Sequence, residues 1–301
     1  MILVTGGTGF IGRVIVKKLL EQNQKVRVLS RNADITPIHS NLEYVNATVL
    51  ELDSLKKAVQ GCDLIIHLVG IIRESGKQTF EKIHRQGTQN LVQAAKTAGI
   101  QKFIHISALG ARSNARSRYH KTKWEAEEIV RSSGIPFVIF RPSIVFGKED
   151  EFINFFANMI RFFPGILGFV PVIGSGKNKF QPIWVEDVAS CFVKAALDAK
   201  IANKEYVLAG PEIYTYDELL DLIMEILHKK RIKLHFPYSF MKTAAFFIEK
   251  LPNQMINRDQ VIMLEEDNIG DNSNMKKDFS IEPASMEQIL KTYYGLDWRS
   301  G

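Results

Sequence analysis

The sequence predicts an α/β protein, a doubly wound parallel sheet with a smaller, discontinuous C-terminal lobe. Three observations carry that expectation. Residues 1–19 read as an apolar run, a glycine turn and an amphipathic stretch; strand and helix then alternate to about residue 140; and the rhythm changes beyond Gly147. At 301 residues the chain is long enough to bury a full core in one large domain with a lesser one.

Met1-Ile-Leu-Val4 has the length and composition of a buried parallel strand, and Ile11, Ile15 and Leu19 recur at helical spacing. Between them lies Thr5-Gly-Gly-Thr-Gly-Phe-Ile-Gly12. Glycines spaced as Gly6, Gly9 and Gly12 also occur by chance in ordinary flexible turns. A strand before and a helix after make them a nucleotide-binding signature. Gly6 permits a tight turn, Gly9 lets the backbone approach a pyrophosphate, and Gly12 lets the helix pack against the strand. The helix start supplies free amides and a positive dipole end, so Gly6, Thr8, Gly9, Phe10, Ile11 and Gly12 are the candidate phosphate contacts.

Further strands are expected at Val26–Leu29, Leu42–Val45, Leu64–Leu68, Phe103–Ile106 and Phe137–Phe140, with helices over about 54–60, 79–98 and 118–132 between them. Six strands in this rhythm make a Rossmann-type sheet, and Glu205–Leu208 reads as one more. The dinucleotide-binding domain is therefore expected over 1–147, completed by about 182–209, with 148–181 and 210–301 forming the substrate lobe. Thr215-x-x-Glu218 and Ser285-x-x-Gln288 are capping-box helix starts in that lobe.

With 46% hydrophobic and 24% charged residues the chain is globular, not disordered. Cys62 and Cys191 lie in apolar runs without metal-ligand spacing, and the seven histidines form no paired cluster, so no metal is expected and a reduced, cytoplasmic setting fits. Met1 begins the first strand, so no leader peptide is expected. The net charge of +6 is spread along the chain without a nucleic-acid motif, which favours an anionic small molecule or membrane surface over DNA or RNA.

Cofactor choice is written at the end of the second strand, here Ser30-Arg31-Asn32. A carboxylate there would accept from the adenosine ribose; its absence, with a guanidinium able to grip a 2′-phosphate, favours NADP(H) over NAD(H). The plainer alternative is that Arg31 is solvated or stacks on adenine. Tyr119 and Lys123 are four residues apart on one helix face, and Ser107 stands at the carboxyl end of the fifth strand, the edge where open α/β sheets bind ligands. Tyr119 would exchange a proton with the oxygen of a carbonyl/alcohol pair as hydride moves. Lys123 would hold the nicotinamide ribose and lower the tyrosine pKa, and Ser107 would hydrogen-bond the substrate oxygen.

At these residues the chain resembles the extended and atypical short-chain dehydrogenases/reductases. The resemblance rests on Thr5–Gly12, Asp63–Gly70, Ser107 with Tyr119 and Lys123, Arg141–Gly147 and Pro182–Val188, and covers nearly the whole length. It implies that Leu68, Val69 and Gly70 lie beside the cofactor and Pro142 near the nicotinamide. His67–Gly70, His84–Asn90 and Ser107–Ala111 are similar to the branch holding the nucleotide-binding accessory subunit of respiratory complex I and its bacterial relatives. Two positions depart from the family pattern. His84 stands where many members have an asparagine of a proton relay, and Thr48 stands where an acidic residue often meets the adenine.

Two apolar stretches remain. Phe152–Ile173 is broken at Pro164-Gly165, which leaves a helical part of about twelve residues, too short to span a bilayer; core, a lid over an apolar substrate, or a membrane-surface anchor are its readings. Tyr238–Leu251 carries Phe240, Ala244, Phe247, Ile248 and Leu251 at helical spacing, and core packing is expected there too. Before it, His228–Lys233 places a basic run at a helix end, which complements the helix dipole or meets anionic lipid.

The leading expectation is thus an oxidoreductase acting on a carbonyl or alcohol, in an apolar or quinone-like small molecule. A cofactor-bound structural, assembly or sensor protein at a membrane respiratory complex is the alternative, and a nucleotide-sugar epimerase or dehydratase ranks lower. The oligomeric state stays open.

Overall fold

A computed structural model of the chain describes residues 1–31, 39–162, 168–249 and 257–294, which divide into two compact units. The first comprises Met1–Pro142, Val185–Leu208 and Ser273–Ile281. Its elements are β1 (Ile2–Thr5), α1 (Phe10–Glu21), β2 (Val26–Ser30), β3 (Leu42–Asn46), α2 (Leu52–Ala58), β4 (Leu64–His67), α3 (Gly87–Ala98), β5 (Lys102–Ile106), α4 (Arg118–Arg131), β6 (Phe137–Pro142), α5 (Val185–Leu197), β7 (Lys204–Leu208) and α6 (Ser273–Phe279).

The seven strands form one parallel sheet in the order β7-β6-β5-β4-β1-β2-β3. Parallel pairing requires crossovers, and helices on both faces explain why the strands read as unbroken apolar runs. Leu3, Ile65, Phe103 and Ile139 bury against Leu55, Leu91, Val92 and Val130 of α2, α3 and α4. On the other face α1 and α5 lie side by side, joined by Lys18–Glu186 at 2.9 Å. The strand order reverses between β1 and β4, so the crevice for a ligand opens at their carboxyl ends.

The helix expected from Thr79 begins as a π-helical turn, Glu81–Gln86, before α3. The wider turn brings both Ile83 and His84 inside. The expected boundaries also shift, because the first unit ends at Pro142 and regains 273–281. Met275 and Phe279 of α6 are buried, with Phe279 among the rings of Phe140 and Tyr206 at 5.6 and 4.7 Å.

The second unit, Ser143–Trp184, Ala209–Asn272 and Glu282–Gly301, has its own core. Helix Phe152–Phe162 buries Ile153, Phe156, Ala157 and Ile160, which makes it core. Its polar side meets Tyr294, whose hydroxyl donates to Asn154 Oδ1 at 2.6 Å and whose ring lies 4.9 Å below the Arg161 guanidinium. The break expected at Pro164-Gly165, like Asn32 and Leu251, lies outside the described residues. Thr215 and Glu218 form the anticipated capping box on helix Tyr216–Ile226.

Core packing fails for helix Tyr238–Ile248. Only Ala245 is buried, while Phe240 and Phe247 are 57% and 62% exposed. The helix packs through Tyr238, Met241 and Ala245, a second set at helical spacing about a third of a turn from Phe240 and Phe247. Among the described residues, no helix is long and apolar enough to cross a membrane.

Candidate functional site

The glycine turn is built as its spacing requires. Gly6 has φ +75°, and a Cβ there would lie 3.1 Å from the Leu68 carbonyl carbon and the Val69 nitrogen. At Gly12 a Cβ would sit 2.1 Å from the Gly6 carbonyl oxygen and 2.7 Å from the Gly7 Cα. Gly12 therefore permits the helix to close on the turn itself, a tighter contact than the expected one with the strand. Gly9 is the extended N-cap of α1, with no side-chain cap and no acidic residue in the first turn. That donor set suits an anion, and the turn fits a pyrophosphate. Thr8 is exposed, Phe10 and Ile11 are half-buried, Ser30 is buried at the end of β2, and Arg31 is exposed just beyond it.

Leu68, Val69 and Gly70 connect this turn to the second constellation. Leu68 and Val69 approach Gly6, whereas a Cβ on Gly70 would lie 3.6 Å from His84 Nε2 and 3.7 Å from Lys123 Nζ. Lys123 is buried and donates to the Ile106 carbonyl at 2.6 Å, one residue before Ser107. Ser107 is itself 3% exposed; its amide donates to the Phe140 carbonyl at 2.7 Å, but its hydroxyl has no hydrogen-bond partner among the described residues. Pro142 lies on the same strand end, where its carbonyl accepts from the Leu109 amide at 3.0 Å. Tyr119 is half-buried one turn before Lys123, edge-on to His84 and Phe80 at centroid distances of 5.4 and 5.9 Å.

His84 is committed at both nitrogens. Nε2 accepts from the Ile71 amide at 3.1 Å, so Nδ1 carries the proton and donates to Thr122 Oγ1 at 2.9 Å. Burial and the nearby Lys123 charge push its pKa down to about 2, and the neutral ring serves as a brace between the β4 exit and α4. With both nitrogens engaged, the His84 ring itself stays neutral. Thr48 is likewise engaged locally, its hydroxyl accepting from the Leu50 amide at 3.4 Å.

Beneath the site runs a second buried polar line. His67 shares hydrogen bonds with Thr5 Oγ1 at 2.6 Å and Thr88 Oγ1 at 3.1 Å, and Thr88 donates to the His84 carbonyl at 2.5 Å. Along α4 the stripe Tyr119, Lys123, Glu127, Arg131 advances four residues at a time. Glu127 is fully buried; it accepts from Arg141 at 2.8 and 2.6 Å and from Arg131 at 2.7 Å. Its carboxylate faces the Lys123 ammonium and favours the charged form.

Burial outweighs that attraction and lowers the Lys123 pKa from 10.5 to about 8. Below pH 8 both folded and unfolded chains hold this proton; between 8 and 10.5 only the unfolded chain does, so stability rises with pH across that window. The shift corresponds to about 3 kcal/mol. Relative to Lys123→Met, the nucleotide-free chain is therefore expected to gain stability between pH 8 and 10.5 in urea unfolding. A difference that stays flat over that range would contradict the burial of a titrating ammonium.

Residues 2–209 match the model of the NAD dependent epimerase/dehydratase family. The chain belongs to this family. It is 30% identical over 94% of its length to "NADH dehydrogenase [ubiquinone] 1 alpha subcomplex subunit 9, mitochondrial" of Arabidopsis thaliana, spanning 74% of that protein. The mouse protein of the same name is 32% identical over 78% of this chain and 63% of its own length. A ceramide reductase of Caulobacter vibrioides is 26% identical over 83% of this chain and 77% of that protein. Among solved structures, a nucleoside-diphosphate-sugar epimerase of Staphylococcus aureus superposes with a TM-score of 0.79 at 18% identity, covering 96% of this chain and 99% of that one.

Sequence reasoning missed several groups around this family turn. A cavity of about 610 Å³ adjoins Gly7 and Thr8 and is lined by Arg13, Lys17, His39 and Tyr44. Arg13 and Lys17 lie four apart on α1, a spacing that could have revealed them. Thr122 and Glu127 gave no such signal, since only the fold sets them against His84 and Arg141.

Proposed function

We propose that this chain prefers NADP(H) over NAD(H) and catalyses redox exchange with the carbonyl or alcohol of an apolar, quinone-like or lipid-derived molecule. The observation that carries the reading is the Leu68–Gly70 segment, which joins the glycine turn to Lys123 and the orphaned Ser107 hydroxyl within one connected set of contacts. The turn residues Gly6, Thr8, Gly9, Phe10, Ile11 and Gly12 hold the pyrophosphate. Ser30 and Arg31 meet the adenosine ribose and its 2′-phosphate, while Leu68, Val69, Gly70 and Pro142 border the nicotinamide half. When bound, the nicotinamide supplies or accepts the hydride.

Within the chain, Ser107 donates its unpartnered hydroxyl hydrogen bond to the substrate oxygen. Tyr119 gives that oxygen its proton or receives it. Lys123 binds the nicotinamide ribose, and its charge favours the tyrosinate. The relative named as a ceramide reductase supports an apolar substrate.

The cofactor half is tested by titrating purified protein with NADPH and NADH. NADPH is expected to bind roughly tenfold tighter through a charge-assisted contact, and Arg31→Ala to remove that margin. Equal affinities in the wild type would overturn the preference.

A second reading is favoured by the relatives named as subunits of NADH dehydrogenase. Here the chain works at the cytoplasmic face of a membrane, bound peripherally to a respiratory complex, with the nucleotide stabilising it. Tight NADPH retention without turnover is the result expected of that role. Sugar-nucleotide epimerisation or dehydration ranks below both, because the matched phrases Ser107–Ala111 and His84–Asn90 are those of the subunit-like branch.

A further inference from the structure

The exposed face of the second unit carries a feature that the cofactor chemistry leaves unused. Strand Ile232–Phe236 pairs with Phe169–Ile173, and its alternate residues Ile232 and Leu234 are 69% and 40% exposed. Phe236, next on that side of the strand, stacks on Phe240 with ring centroids 5.8 Å apart. Phe240 in turn shares a helix face with exposed Phe247, one heptad on. An apolar strip thus runs from Ile232 to Phe247, larger than the scattered hydrophobics of an ordinary surface.

Cations stand at its beginning. Among the described residues, Lys229 and Lys230 are exposed and unpaired, and Arg231 donates only to the Lys230 carbonyl at 3.1 Å, with no carboxylate in reach of any of the three. Other charges nearby stand mostly in pairs, Lys233 with Asp221 at 2.7 Å, Arg258 with Glu249 at 2.7 Å and Lys242 with Glu265, while the His235 ring hydrogen-bonds Asp217 at 3.0 Å; the six cations named here outnumber the four carboxylates. The unbalanced charge at the strip is therefore positive.

We infer that this face docks on an anionic phospholipid surface, with Phe240, Phe247 and Ile232 entering the headgroup boundary and Lys229, Lys230 and Arg231 meeting lipid phosphates. The combination decides the occupant. Protein interfaces enrich aromatics but deplete lysine, whereas protruding apolar side chains next to unpaired lysines match an interfacial membrane contact. The failure of helix Tyr238–Ile248 to bury its Phe residues has its physical explanation here: those rings face lipid, not core.

The proposal deepens the peripheral-association reading and is independent of turnover. The test is co-sedimentation of the full chain with vesicles of phosphatidylcholine alone and of phosphatidylcholine with a minority of phosphatidylglycerol, at low ionic strength. Binding is expected on the anionic vesicles only. The triple variant Lys229→Gln, Lys230→Gln, Arg231→Gln should weaken it roughly a hundredfold. Phe240→Ser with Phe247→Ser should weaken it roughly tenfold or more, with unfolding midpoints and NADPH affinity unchanged because neither ring is in a core. Absence of vesicle binding by folded wild-type protein overturns the proposal, as does binding that neither variant reduces. Co-fractionation with a membrane complex through these same residues, without vesicle binding, also overturns the lipid surface while leaving the peripheral role standing.

Discussion

Gly12→Ala is expected to abolish nucleotide retention and to lower the unfolding midpoint by an amount on the order of 5–10 °C, the equivalent of roughly 3 kcal/mol. One methyl group is enough because the space for it does not exist. The Cβ would stand 2.1 Å from the Gly6 carbonyl oxygen, where only backbone can yield. If α1 retreats, Ile15 and Leu19, both fully buried, lose their seats. If the turn yields instead, Gly6 presses on Leu68 and Val69, and the segment that reaches Gly70 and Lys123 moves with it. Either response displaces the amides that face the phosphates. The measurement is NADPH titration with thermal unfolding, and Gly9→Ala is the companion variant. Its Cβ meets the Gly6 oxygen at 3.3 Å, so it should fold close to normally and still bind nucleotide more weakly. A Gly12→Ala protein with unchanged affinity and midpoint would mean that the turn is not closed in this way.

This dependence on backbone contact explains why the first unit was legible in the sequence. Parallel strands buried on both faces must be apolar throughout, and the glycine turn tolerates no other residue type at its closest approaches, so both leave signatures in composition. Side chains that act through tertiary contacts leave none. His84 reads as a replacement for an asparagine, yet its role depends on Ile71 and Thr122, thirteen residues before it and thirty-eight after. The π-helical turn that carries it is invisible to a periodicity of 3.6. Helix Tyr238–Ile248 shows the opposite failure: two apolar faces satisfy one helical spacing, and which is buried depends on what packs against it. The return of Ser273–Phe279 to the first unit is likewise set by the rings of Tyr206 and Phe140, far away in sequence.

Tyr119→Phe is expected to lower kcat by about 10²–10⁴-fold on any carbonyl or quinone that the wild type reduces, the usual contribution of a positioned acid–base group. NADPH affinity and stability should hardly change. The aromatic packing on His84 and Phe80 belongs to the ring, and phenylalanine retains it. Lys123→Met separates the two roles of its partner. That substitution removes the ammonium held at the Ile106 carbonyl and is expected to weaken NADPH binding together with kcat, whereas Tyr119→Phe affects kcat alone. Lysine also fixes the pH response, since loss of its proton near pH 8 removes the charge that favours the tyrosinate. Alcohol oxidation, the direction that needs the tyrosinate, should therefore lose rate in the wild type as pH rises through 8, and the Lys123→Met rate should lack that limb. Turnover that survives Tyr119→Phe unchanged refutes the assigned mechanism. If the wild type holds NADPH tightly and reduces nothing, the same geometry serves retention, and the nucleotide is a structural element of the chain.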